Sequence, residues 1–196
     1  LDFDPLLVRT GDIIFVRTNY LKEFSKKYQP QIKIDTKFIL ISHNEDMEVT
    51  EEIISLIDFS KCVHWFAENV QIDNPRITPL PIGLANFYSQ QNGKITLFDE
   101  LNSEVSTKNP AIFYDFNIAS NPKVRIAAKE SIKKNPSAEC KHFANQIEYY
   151  KNLKTYAFMA SPRGKGEDCN RTWEALYLSV QPIVIKSPMT LYFTEI

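Results

Sequence analysis

Short apolar runs alternate along the chain with segments whose apolar residues recur at helical spacing. Residues 12–18, 37–42, 62–67 and 77–80 are brief runs rich in β-branched and aromatic side chains, as buried strands are. Between them, residues 20–28 bring Leu21, Phe24 and Tyr28 to one helical face, and residues 49–58 do the same with Ile53, Ile54 and Ile57. A second series opens at Ala111 with AIFYDFNI. It continues with a helix over 123–135 (Val124, Ala127, Ala128 and Ile132 on one side), a strand over 140–143 and a helix over 146–154. A strand over 156–160, a helix over 168–180 and a strand over 182–186 complete it. Strands alternating with helices predict parallel pairing in an α/β fold, here as two Rossmann-like halves with mainly parallel sheets. No sequence repeat relates the halves.

Residues 89–110 are polar and form the expected linker, with a short helix over 97–101. That divides the chain into an N-terminal half, 1–88, and a C-terminal half, 111–196. A chain of 196 residues with 43% hydrophobic content suffices for one large or two small cores. The net charge of −1 exerts no overall pull on nucleic acid or anionic membrane, so a basic site must be local. No run approaches the ~18 apolar residues of a spanning helix. Cys62, Cys140 and Cys169 are an odd, widely spaced set, which suits reduced thiols and a cytoplasmic location. The three histidines form no metal-ligand spacing, so a metal-independent site without a cofactor is expected.

The chemistry gathers in residues 157–186, AFMASPRGKGEDCNRTWEALYLSVQPIVIK. A strand that runs into a glycine loop and then a helix start aims backbone N–H groups at one point, where an anion can sit. Arg163 and Lys165 add charge there, and Arg can grip a phosphate through two parallel hydrogen bonds. Both crowd a helix N-terminus, where the dipole repels cations, and an anionic ligand removes that conflict. Glu174 offers an acceptor for paired hydroxyls such as those of a ribose. A plainer account also exists: Trp173, Leu176, Tyr177 and Val180 make a core face, Arg171 and Glu174 a helix pair, and Asp168 an N-cap. Walker and dinucleotide-binding loops fail on spacing, because Gly164-Lys165 is followed by Gly166 and supplies only two glycines.

The same segment resembles the donor-binding segment of exostosin-like glycosyltransferases, which have the GT-B architecture of two facing Rossmann-like domains. Ser161, Pro162, Arg163 and Gly164 stand where that family has its Ser-Pro-Arg-Gly loop. Asp168, Arg171, Glu174, Ala175 and Leu176 match its acidic residue, Arg and Glu-Ala-Leu helix, and Pro182, Ile183 and Val184 its following strand. The segment ITPLPIGLAN over 77–86 resembles the family's crossover piece. One departure is Ser179-Val180-Gln181, where the family has Gly in the turn before the Pro. The resemblance implies transfer of a sugar from a UDP- or GDP-sugar to a glycan or other hydroxyl acceptor, inverting and without metal. It assigns the donor to Ser161, Arg163, Gly164, Asp168, Arg171 and Glu174 in the second half, where Lys165 joins them by its charge, and the acceptor to the first. The alternative is a non-catalytic Rossmann-like domain that binds a nucleotide sugar or acts as a scaffold. A GT-B second domain continues beyond such a strand, so a fragment with a truncated second half is expected. Leu191, Tyr192 and Phe193 are then expected to meet a remaining surface or a second molecule.

Three other places carry candidate chemistry. Residues 42–46 follow a strand, so His43, Glu45 or Asp46 is a candidate general base; the plain reading is a polar turn before the next helix. Residues 81–86 are candidates to line a cleft, with Gly83 allowing close backbone approach, or form a plain turn. Asn121 and Pro122 make a helix start that places Arg125 in the first turn, where it is a candidate to face a pyrophosphate. Cys169, beside Arg163, Lys165 and Arg171, is expected either to have a lowered pKa or to be an ordinary first-turn residue. His64 and His142 read as core or cleft histidines.

Overall fold

Each half of the chain closes its own four-stranded, all-parallel sheet. The fold is thus α/β and Rossmann-like in both halves. The computed structural model describes residues 3–85 and 93–194. Cα packing groups residues up to Pro81 with those from Ser187 as a first unit, and Ile82–Lys186 as a second.

In the first unit the strands are β1 (Ile13–Arg17), β2 (Phe38–His43), β3 (Cys62–Ala67) and β4 (Ile77–Pro79), in the order β1-β2-β3-β4. Helix α1 (Leu21–Glu23) follows β1 and passes into a π-helical turn, Phe24–Tyr28, while α2 (Glu51–Ile54) follows β2. Helical spacing of Leu21, Phe24 and Tyr28 is common to α and π turns, so the sequence could not separate them. Every step along the sheet goes the same way, so right-handed crossovers lie on one face. Burial follows that rule. Ile14, Leu40, Trp65 and Ile77 lie side by side in the register and are buried. Their neighbours on the opposite face, Ile13 and Phe15, are 62% and 54% exposed. The expected helix over 49–58 shortens to α2, though Ile53, Ile54 and Ile57 are all buried as its pattern required.

The second unit holds α3 (Ile95–Ser103), β5 (Asn109–Tyr114), α4 (Pro122–Ile132), β6 (Ala138–Cys140), α5 (Gln146–Leu153), β7 (Tyr156–Ala160), α6 (Asn170–Tyr177) and β8 (Gln181–Ile183). Its sheet order is β6-β5-β7-β8. The chain steps one way from β5 to β6, crosses back to β7 and continues to β8. Right-handed crossovers therefore put α4 on one face and α5 and α6 on the other. The core includes Phe113, Tyr156 and Met159 from the sheet, Tyr150, Leu153 and Ala175 from the helices, and Leu178 just past α6.

The expected linker over 89–110 needs correcting where it is described. Phe98 and Leu101 of α3 are buried in the second core, so this stretch is part of the second unit. Residues 89–92 lie outside the described residues. Lysines then fasten the helix ends: Lys154 Nζ donates to Glu104 O at 3.0 Å, and Lys108 Nζ to Lys154 O at 2.7 Å and Leu178 O at 2.9 Å. Cations there complement the negative end of the helix dipole. Helix α4 also differs from expectation, because Ala127 is exposed and the side chain it buries fully is Arg125. The C-terminal helix α7 (Pro188–Thr194) groups with the first unit; it buries Met189 and leaves Leu191 and Tyr192 exposed.

The Gly-less turn after α6 keeps a glycine-like backbone. Ser179 sits at φ 55°, and Val180 N–H returns to Ala175 O at 2.8 Å to close the helix end. A left-handed residue with a Cβ costs ~1–2 kcal/mol, partly offset by the flexibility Gly adds to the unfolded chain. Ser179→Gly is therefore expected to stabilise the chain by about 0.5–1 kcal/mol in urea denaturation. A loss of stability would contradict this account of the turn.

Candidate functional site

Strands β5 and β7 are neighbours whose outgoing connections leave in opposite directions, towards β6 and towards β8. Open α/β sheets bind ligands beyond the carboxyl ends of their strands at such a switch point. The segment after β5 supplies Phe116, Asn117, the α4 cap Asn121 and, on α4, Arg125. The segment after β7 is the glycine loop, leading to Asp168, Cys169 and α6. The sequence had singled out both segments, and the topology places them together.

The β5–α4 segment holds the glycine loop through its side chains. Arg125 is 4% exposed and donates from Nη1 to Asn117 O (2.7 Å), from Nε to Arg163 O (3.1 Å) and from Nη2 to Pro162 O (3.3 Å). Asn121 Nδ2 donates to Gly164 O at 2.8 Å, while its Oδ1 caps α4 by accepting from Val124 N–H. A Cβ at Gly164 would come 3.1 Å from Arg125 Nη2, so any larger residue there would press on the clamping guanidinium. The expectation that Arg125 faces a pyrophosphate is thus replaced by a clamp on the loop backbone.

Arg163 forms an ion pair with Glu167, four residues on and itself buried. The chain supplies this counter-charge itself, so Arg163 alone no longer demands an anion. Arg171 does present a demand: its Nη1 is buried with no hydrogen-bond partner among the described residues. Its guanidinium carbon lies 5.8 Å from the centre of the Phe116 ring, and that of Arg125 lies 5.9 Å from the same ring. Burial, and then the charge of Arg171, push Arg125 below its ordinary value. Lys165 is exposed, and Ser161 Oγ shares a hydrogen bond of 2.8 Å with Thr172 Oγ1.

Asp168 is not the N-cap; Cys169 holds that position without a side-chain cap. Asp168 Oδ2 instead accepts from Trp173 Nε1 at 2.6 Å and from Ile82 N–H at 2.9 Å. Asn170 Nδ2 donates to Gly83 O at 2.9 Å, with Gly83 at φ 66°. The Ile82–Gly83 stretch is therefore tied to the start of α6; Asn86 lies outside the described residues. Of the two readings of Cys169 the lowered pKa is the one that fails: the residue is half-buried at the start of α6, and burial raises its thiol, outweighing the nearby Arg171 and Arg125 charges.

Glu174 turns inward on α6. It is 6% exposed and its Oε1 accepts from Tyr150 O–H at 2.7 Å. Burial raises its carboxyl above the ordinary 4.5, opposed by the Tyr150 bond and the Arg171 charge. A ribose would have to compete with Tyr150 for it. A raised folded pKa means that the folded state holds the proton more tightly, so this contribution to stability is full below 4.5 and is lost as pH rises through the folded value. Glu174→Gln is expected to match the wild type in stability at low pH and to exceed it increasingly as pH rises through that range. Parallel pH profiles would contradict it.

In the first unit, His43 ends β2 with both ring nitrogens engaged. Nδ1 lies 3.2 Å from Glu68 Oε2 and 3.1 Å from Asn44 Oδ1, and Nε2 lies 3.1 Å from Pro81 O. Glu68 is buried and also accepts from Asn44 N–H at 2.8 Å. Asn44 and Asn69 are both left-handed, at φ 68° and 56°, and Asn69 Nδ2 donates to Glu45 O. Glu45 pairs with Arg17, and Asp46 is exposed. Of the three candidate bases, His43 and Glu45 are thus committed to contacts within the chain. Glu68, which organises the cluster, had a sequence signal in its position directly after β3.

Among the described residues no three His, Cys, Asp or Glu side chains are grouped as a metal site. The metal-independent expectation overlooks one Asp-x-Asp spacing, at Asp2 and Asp4. Asp4 Oδ1 accepts from Leu6 N–H at 2.9 Å to cap a 3₁₀ turn, and Asp2 lies outside the described residues. Among the described residues no helix is long and apolar enough to cross a membrane. In comparison with known proteins, the chain matches no family model and no curated protein.

Proposed function

We propose that the second unit binds the diphosphate of a nucleotide sugar at the β5–β7 switch point, and that the chain is a glycosyltransferase of the exostosin-like, GT-B kind. The observation that carries this reading is the pair of guanidinium groups beside Phe116, with Arg171 Nη1 left without a partner where open α/β sheets take their ligands. A buried donor without an acceptor, next to a like charge, is an unusual thing for a fold to keep. An anion supplies the acceptor and relieves the repulsion together.

In this reading the nucleoside diphosphate is the leaving group of sugar transfer. Arg171, the loop N–H groups and Lys165 stabilise the charge that grows on it, as preorganised donors do. Arg125 and Asn121 act on the loop, holding its carbonyls so that its N–H groups keep their direction. Glu174 meets the ribose only by exchanging with Tyr150. The resemblance further suggests inverting transfer from a UDP- or GDP-sugar to a hydroxyl of a glycan or similar acceptor.

A second reading, a domain that binds a nucleotide sugar without turnover, is favoured by one observation. His43 and Glu45, two of the three candidate bases, are engaged elsewhere. Thermal shift across UDP- and GDP-sugars, followed by assay of nucleotide release with hydroxyl acceptors, separates these readings. Stabilisation with acceptor-dependent release supports the transferase; stabilisation without release supports the binding domain. Stabilisation by none of the nucleotides would contradict both.

A further inference from the structure

The first unit carries a pocket that the sugar-transfer reading does not use. It lies along β1, which among the described residues pairs with β2 alone, and has a volume of about 260 Å³. Five aromatic side chains line it: Phe3, Phe15, Tyr20, Phe24 and Tyr28. Phe24 and Tyr28 are the first and last residues of the π-helical turn, which Gln29 N–H closes onto Phe24 O. Such turns are rare and recur at functional sites, and this one sets both rings in the pocket wall.

The rings pack on one another in tilted contacts. Phe3 meets Tyr28 edge-on, centroids 5.7 Å apart at 69°, and lies 6.2 Å from Phe24 at 52°. Phe24 in turn meets Phe38 edge-on at 6.2 Å and 87°. Aromatic groups favour such tilted contacts, and a guest ring would extend the series. At the mouth Phe15 and Tyr20 remain 54% and 40% exposed, so the pocket can be reached from solvent. Its two charged lining residues are balanced within the chain: Arg17 pairs with Glu45, and Glu23 with Lys27 at 3.5 Å. The pocket therefore offers no net charge to a guest.

We propose that this pocket is a binding site for a neutral aromatic group, presented by a small molecule. A cavity of 150 Å³ lined by apolar residues is large enough for benzene, so this one suits a fused bicyclic ring of about ten heavy atoms. The proposal is independent of the diphosphate site and concerns different residues.

Indole is a suitable probe for titration of the whole chain followed by amide chemical shifts. Saturable shifts in β1 and residues 20–28 are expected, with a dissociation constant of about 1 mM or below. Phe15→Asp and Tyr20→Ala change exposed positions, so the fold should persist, as the unchanged remainder of the spectrum would show. Each is expected to weaken indole binding at least tenfold. No saturable shifts in the wild type, or equal affinity in both folded variants, would overturn the proposal.

Discussion

Replacing Arg125 by methionine is expected to lower the stability of the second unit by about 3 kcal/mol. The guanidinium donates to three backbone carbonyls, Asn117 O, Pro162 O and Arg163 O, from a nearly fully buried position. Methionine fills much of the volume but leaves those carbonyls without their donor. Hydrogen bonds to a charged group are typically worth ~1.5–3 kcal/mol each, and the loss of three would exceed the figure expected. The difference is the burial cost of the charge, visible in the lowered proton affinity of Arg125, which methionine does not incur. Arg125→Lys should recover less than half of the loss, because one ammonium cannot reach three carbonyls spread over two segments. Urea denaturation measures both effects, and amide exchange over residues 161–169 should accelerate in both variants. An unchanged midpoint together with lost nucleotide affinity would restore Arg125 to the phosphate-facing role first expected of it.

The second large effect has the opposite signature. Arg171→Gln is expected to weaken UDP binding ten- to a hundredfold, from the loss of about 1.5–3 kcal/mol in a charge-assisted hydrogen bond. It should do so without lowering stability. The residue leaves a buried nitrogen without a partner among the described residues, and its charge, after burial, is what depresses Arg125, so removing it relieves the empty fold. Calorimetry on the folded variant reads the affinity, and denaturation reads the stability. A variant that binds UDP as the wild type does would return Arg171 to a purely structural place on α6.

The two halves were legible because each strand is a short apolar run between segments of helical period. That period also misled. Ala127 fits the apolar stripe of α4 but is exposed, while Arg125 beside it is buried, since the loop after β7 passes under that turn. Sequence places a cation in the first turn of a helix and leaves its direction open. Glu174 likewise fits a ligand-facing position, but Tyr150, 24 residues earlier, reaches it first. Asp168 reads as a cap, yet its carboxylate serves Trp173 and Ile82, the latter 86 residues away. Such pairings depend on crossovers that sequence periodicity does not record. The polar stretch around α3 hid its role because few of its residues, Phe98 and Leu101 with Leu97 partly buried, carry its packing. The turn at Ser179 shows the reverse case, in which an unexpected residue keeps the expected backbone.

The central claim is that the loop after β7 and the segment after β5 form one anion site. Amide chemical-shift mapping during a UDP titration tests it most directly. Saturable shifts are expected to cluster at residues 161–171 and 116–125, with the first-unit strands unaffected. Shifts centred elsewhere, or no saturable shift with UDP or GDP, would contradict it.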